Sequence, residues 1–153
     1  MQPQFVTKPA FTVVGLAIKT QPMTPEIPAL WQQFGPRMGE APHLAEPGVS
    51  YGLMDNFDME AGKMDYMAGE SVTQIGELPA GMTSWQAPAN TYAVFEATLP
   101  TISQTFDYIF STWLPTSGYQ QAAGPYFERY GETFDPDEPG SKLSVYIPVK
   151  KTT

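Results

Sequence analysis

Few residue types able to do chemistry occur in this 153-residue chain. There is no cysteine and one histidine, which excludes thiolate nucleophiles, disulfides, cysteine zinc sites and two-histidine metal arrangements. The histidine, His43, lies in a Pro-rich loop with no nucleophile beside it and reads as a surface residue. No Walker A loop, dinucleotide fingerprint or nucleophile elbow is present. What remains is acids among aromatic rings, most clearly Glu128 in Pro125-Tyr-Phe-Glu-Arg-Tyr130. The two-residue alternation of a strand puts Tyr126, Glu128 and Tyr130 on one face and Phe127 and Arg129 on the other. The residues alone leave three readings open. Glu128 is an exposed strand acid beside Arg129, or a buried acid held by tyrosine hydroxyls. Or it is a desolvated carboxylate between ring faces, which would attract a delocalised organic cation. Met54, Met59, Met64 and Met67 form a cluster of flexible, polarisable side chains that suits either core filling or a ligand lid. Asp135-Pro-Asp-Glu-Pro139 reads as a solvated turn rather than a metal loop. No metal site and no cofactor is expected.

Composition narrows the partners. The net charge is −8, from 8 Lys+Arg against 16 Asp+Glu. Direct nucleic-acid binding is not expected, because phosphate recognition needs clustered Lys and Arg, and Lys150-Lys151 is only a short charged tail. Hydrophobic residues make up 42%, enough for a core, and 13 Gly with 16 Pro fall short of a low-complexity composition. No apolar run approaches the roughly 18 residues of a membrane span, and no charged-then-apolar leader opens the chain.

The elements that must position these residues read as one pattern used twice. Phe11 to Ile18 is a β-branched, apolar strand. Ile27, Trp31, Phe34 and Met38 follow at helical spacing, with Thr24-Pro25 as cap and first helical residue and Pro28 complicating the start. Val49 to Asn56 and Met64 to Val72 are strands. In the second half Thr91 to Thr98 is a strand, and Ile102, Phe106, Ile109, Phe110 and Trp113 form a helix stripe. Pro115 to Gly124 is a loop, and Tyr126 to Gly131 and Lys142 to Val149 are strands. An added strand is expected around Met82 to Gln86. The fold class is therefore α+β, with an internal repeat of about 8–75 and 80–150. Each strand–helix–strand–strand unit leaves one apolar sheet face uncovered, and joining two units either buries those faces or leaves a cleft.

Three segments of the second half carry a resemblance: Trp113-Leu-Pro-Thr-Ser-Gly-Tyr119, Pro125-Tyr-Phe-Glu-Arg-Tyr130, and Leu143-Ser-Val-Tyr-Ile-Pro-Val-Lys150. With Leu78-Pro-Ala-Gly81, their order and spacing resemble the GyrI-like, or AraC-type, effector-binding superfamily, and within it free-standing integron-associated effector-binding proteins. The resemblance spans residues 1–153 as one effector-binding domain. It implies two pseudo-twofold-related βαββ units forming an antiparallel sheet, with two main helices and a pocket between the halves. It also implies small organic ligands, often lipophilic cations, met by a glutamate among aromatic rings. By the Glu-x-Tyr motif that residue maps onto Glu128, and the closing-strand aromatic maps onto Tyr146. Some members carry a second acid where this chain has Ser144. Regulators of the superfamily fuse a helix-turn-helix module for which this chain has no room, so direct transcription control is not expected. The resemblance and the missing leader together suggest the cytoplasm, with no membrane partner.

Six aromatics are candidates for the pocket. Tyr51 opens the first-half strand corresponding to that of Glu128, so a pseudo-twofold would bring it to the opposite wall. Trp85 and Tyr92 lie on the middle strands near the join of the halves. Tyr146 shares strand parity with Ser144 and Pro148. If Leu143, Val145 and Ile147 pack on a helix, the Tyr146 face is left for the pocket. Trp31 and Trp113 lie on helical stripes where core packing is the default, and one of them could line a pocket floor. The predicted ligand-binding set is thus Glu128, Tyr146, Tyr51, Trp85, Tyr92 and Trp113. The expected function is non-enzymatic binding of bulky lipophilic cations. The resemblance implies two alternatives: hydrolysis of cyclopropane-containing electrophiles with Glu128 as base, and an acidic, gyrase-inhibitor-like interaction with an unidentified protein.

Overall fold

The apolar strand runs and the two helical stripes assemble into one antiparallel sheet with helices packed on one of its faces. The computed structural model describes residues 2–152. Its strands are β1 (Gln4–Lys8), β2 (Phe11–Thr20), β3 (Ser50–Asp58), β4 (Lys63–Val72), β5 (Thr83–Ala87), β6 (Asn90–Thr98), β7 (Tyr119–Gln121), β8 (Tyr126–Tyr130) and β9 (Lys142–Lys151). Helix α1 (Glu26–Phe34) follows β2, and α2 (Ile102–Tyr108) follows β6. A wide π-helical turn, Ile109–Trp113, carries α2 into a last short helix, α3 (Leu114–Thr116). No helix among the described residues is long and apolar enough to cross a membrane.

The strand order is β1-β6-β9-β8-β3-β4-β2-β5, with β7 pairing the far end of β9. It repeats from the centre outward: β3, β4, β2 on one side match β8, β9, β6 on the other. The two repeats meet at β3 and β8, where Ser50 pairs Tyr130, Gly52 pairs Glu128 and Met54 pairs Tyr126. This is the α+β arrangement of two βαββ units expected from the sequence. Two short strands escaped that reading. β1 lies before the first repeat, and β7 falls within the segment read as a loop. β1 adds to the outer edge of β6, with Val6 opposite Tyr92.

Helix α1 begins one residue after Pro25, with no side-chain cap bond from Thr24. Pro28 is accommodated because it sits in the first turn, where its missing N–H has no helical partner to lose. Leu30 and Phe34 of α1 and Phe106, Ile109 and Trp113 of the second helix are buried, together with Phe95, Val145 and Ile147 from the sheet. The opposite sheet face has its own core: Val13, Val49, Tyr51, Leu53, Met67, Tyr92 and Phe127, with Phe11, Trp85, Val94 and Tyr146 packed against it. Strand alternation therefore supplies both faces with apolar side chains.

Candidate functional site

Between the two helices, above the line where β3 and β8 pair, lies a cavity of about 1080 Å³. That exceeds the roughly 300–1,000 Å³ of ordinary small-molecule sites. Its floor is the helix-side face of the central strands: Ser50 and Met54, Met64 and Tyr66, and Tyr126, Glu128 and Tyr130. Ile27, Pro28 and Trp31 of α1 form one wall, and Ile102, Phe106 and Phe110 the other. Met23, Met38, Leu99 and Phe134 contribute at the mouth. The lining includes Glu128, Asp107 and Glu132, and among the described residues no Lys, Arg or His.

Glu128 is 6% exposed, at the centre of this floor. Both tyrosine hydroxyls beside it donate to the same oxygen: Tyr66 to Oε1 at 2.8 Å and Tyr130 to Oε1 at 3.0 Å. Tyr66 in turn accepts from the Trp31 indole Nε1 at 2.8 Å. A chain of hydrogen bonds therefore runs from α1 through β4 to the carboxylate. Burial pushes the Glu128 carboxyl up from an ordinary glutamate's 4.5 to about 7, against the pull of the two hydroxyls, which favour the charged form. Burial and the adjacent carboxylate hold the Tyr66 and Tyr130 hydroxyls well above the usual phenol range, so both remain donors. Among the described residues no cation pairs with this acid. The ion pairs among the described residues are Lys19–Asp65, Arg37–Glu40, Arg129–Glu46 and Lys142–Glu96.

Aromatic rings around the cavity meet one another at steep angles. Trp31 meets Tyr130 at 5.2 Å and 70°, and Tyr130 meets Phe134 at 4.8 Å and 64°. Across the cavity Phe106 and Phe110 lie parallel, 6.5 Å apart, and Tyr126 stands against both at 6.0 and 5.6 Å. Met54 and Met64 fill the floor between the walls. Met67 points to the other sheet face, and Met59 is exposed in the β3–β4 turn, so the methionine cluster divides rather than forming a lid.

Of the six residues the sequence nominated, the structure places Glu128 on the cavity and the other five elsewhere. The register settles four of them. Glu128 pairs Gly52 on one side and Val145 on the other, whereas Phe127 pairs Leu53 and Tyr146. Partners across a ladder share a face, so Tyr146 goes with Phe127, away from the cavity. Tyr51 pairs Arg129 and goes the same way. Tyr146 stacks on Phe127 at 4.7 Å and 15°, and Tyr92 and Tyr51 meet that ring edge-on at 5.2 and 5.5 Å. Trp85 packs against the same cluster. Leu143, Val145 and Ile147 do face the helices, as expected. But the hollow is on that side too, because the two helices stand apart instead of closing over the sheet. Trp113 is the fifth correction. It follows Ile109 on the buried side of the helix, and the indole packs against Phe95 at 5.2 Å and near Tyr119 and Phe5, away from the cavity.

Tyr51 belongs to a polar cluster on the far face. It donates to Glu46 Oε2, Ser71 donates to the same oxygen at 2.8 Å, and Arg129 Nη2 donates to Glu46 Oε1 at 2.9 Å. Burial raises the Glu46 carboxyl, but these donors outweigh it and hold the group below the ordinary range. The cluster is internally satisfied, unlike the cavity acid. Sequence reasoning missed Tyr66, Trp31, Phe106 and Phe110 as a set. Tyr66 was within reach, since Met64, Tyr66 and Ala68 alternate along β4, but nothing local tied that row to Glu128.

Comparison with known proteins points the same way as the geometry. The model of the GyrI-like small molecule binding domain matches residues 1–150. The transcriptional regulator BrlR of Pseudomonas aeruginosa is 36% identical over 152 residues, which cover 97% of this chain. The match takes in 56% of BrlR, so the chain spans about half that relative's length. Among solved structures, SAV2435 bound to tetraphenylphosphonium has a similar fold, with a TM-score of 0.78 at 19% identity, covering 98% of this chain and 94% of that one. An integron cassette protein of Vibrio cholerae is similar at TM-score 0.69 and 22% identity, covering 98% and 97%.

Proposed function

The chain belongs to the GyrI-like small-molecule-binding family, and from that premise we propose that it binds bulky lipophilic organic cations with Glu128 as the counter-charge. The observation that carries this is a buried carboxylate, without a cationic partner, in a large cavity lined by acids and rings. A delocalised cation is weakly hydrated and loses little on leaving water. Glu128 is already desolvated, so the ligand supplies an interaction that water no longer provides. Ring faces add about 0.5–2 kcal/mol each where a cation lies over them. Met54 and Met64 suit a floor that meets ligands of different outline. The fold shared with a protein solved bound to tetraphenylphosphonium supports the same ligand class.

The test is a calorimetric titration with tetraphenylphosphonium and with neutral triphenylphosphine oxide. Glu128→Gln keeps shape and removes charge. It is expected to weaken the cation about 100-fold, the scale of losing a desolvated charge pair, and the neutral compound less than three-fold. Equal losses for both would remove charge selection from this reading.

A further inference from the structure

Gly52 sits opposite Glu128 in the central ladder, in the middle of β3. Glycine is disfavoured inside strands, where it contributes no side chain to packing. Its usual excuse does not apply, because Gly52 is not among the residues with positive φ. Space is the remaining reason. A Cβ at this position would lie 2.3 Å from the Tyr66 hydroxyl, 2.6 Å from Glu128 Oε1 and 3.0 Å from Tyr66 Cζ. The Glu128 carboxylate therefore lies across the bare Cα of Gly52, and the Tyr66 hydroxyl reaches it over the same spot.

We propose that Gly52 is a specificity-determining residue of the cavity: its missing side chain is the seat that holds the Glu128 carboxylate down among the tyrosine hydroxyls, and it limits the floor to one negative charge. This rests on the reading of Glu128 as the partner of a cation. In the two repeats the corresponding ladder rows are Leu16–Ala68–Gly52 and Phe95–Val145–Glu128. Gly52 is thus the counterpart of the acid itself. A side chain at 52 and the observed carboxylate occupy the same volume, so the second half can present its acid here only because the first half presents nothing. A floor built this way matches one diffuse positive charge, as on a phosphonium or a quaternary ammonium.

Gly52→Ala tests the seat directly. The three atoms nearest to the new methyl belong to side-chain ends, the Tyr66 phenol and the Glu128 carboxylate, rather than to the paired backbone. The methyl is expected to separate Tyr66 from Glu128 and lower the affinity ratio of tetraphenylphosphonium over triphenylphosphine oxide about ten-fold, the scale of one lost hydrogen bond to a charged group. Glu128→Asp gives the same test without adding volume. Its carboxylate keeps its charge but is drawn back by one methylene from Gly52, and the ratio is again expected to fall about ten-fold. Gly140→Ala, in an exposed turn with nothing nearer than 3.9 Å, controls for adding a methyl and is expected to keep the wild-type ratio. A cation-selective wild type whose ratio survives in either folded variant overturns the role of Gly52 alone. A wild type with no cation preference overturns the function on which it rests, and this proposal with it.

Discussion

The two repeats share strand order and helix placement but do opposite things at the point where they meet. The first repeat's ladder row on the helix side of the sheet is Leu16, Ala68 and Gly52, small at its inner end. The second repeat's row is Phe95, Val145 and Glu128, large and charged. The helices differ in the same sense. α1 reaches the floor through a polar contact, Trp31 to Tyr66, while α2 and the π-helical turn after it present Phe106 and Phe110 to Tyr126. A duplicated unit with matching inner rows would either close the gap or place two acids face to face, where neither could ionise cheaply. Divergence at a single ladder position gives a symmetric junction one acid, Glu128, at the seam between the repeats.

The largest way to break that comparison is to neutralise the charge and read stability. The Glu128 carboxyl lies at about 7 in the folded protein against an ordinary 4.5. The raised value means that the fold favours the protonated acid. Its contribution is fully present below the unfolded value and is lost as pH rises through 7. Glu128→Gln is therefore expected to stabilise the ligand-free protein by up to about 3 kcal/mol at pH 8 and by under about 1 kcal/mol at pH 5, measured by denaturant unfolding. Stabilisation independent of pH would show that the acid is not desolvated. Next in size is ligand binding itself. Only the carboxylate form pairs with a cation, so tetraphenylphosphonium affinity should fall as pH drops below about 7, approaching ten-fold per unit. Binding of triphenylphosphine oxide should stay flat.

How much of this was legible follows from which physical signals are local. Alternation along β8 sorted Tyr126, Glu128 and Tyr130 from Phe127 and Arg129, and parity along β9 correctly set Leu143, Val145 and Ile147 against the helices. Neither signal says which face is hollow. Both faces of this sheet carry apolar rows, and the hollow depends on how far apart α1 and α2 stand, a tertiary quantity with no period in the sequence. Hence Tyr51, Trp85, Tyr92 and Tyr146 share the face away from this cavity, while Trp31, for which core packing is the default and a pocket floor the alternative, lines it. The π-helical turn at Ile109–Trp113 was equally unreadable, since Ile102, Phe106, Ile109 and Trp113 fit an uninterrupted helix.

Two smaller substitutions sharpen the contrast between regions. Trp31→Phe keeps a ring in the wall but removes the donor to Tyr66. It is expected to weaken tetraphenylphosphonium about three-fold, the loss of one neutral hydrogen bond behind the carboxylate. Phe110→Leu, on the wall without such a link, should affect charged and neutral ligands alike, and a matching pattern for Trp31→Phe would erase the distinction between the helices. Smallest of all, Tyr146→Phe on the far face should change affinity for either compound by less than two-fold. A larger effect would reverse the face assignment made from the ladder register.

The link from indole to phenol to carboxylate has an optical consequence. Trp85 and Trp113 lie away from the cavity, so of three indoles one alone is wired to the acid. Any event that shifts charge on Glu128 alters the field felt by the Trp31 chromophore. Cation binding beside Glu128 is accordingly expected to change the intrinsic ultraviolet emission with no added dye.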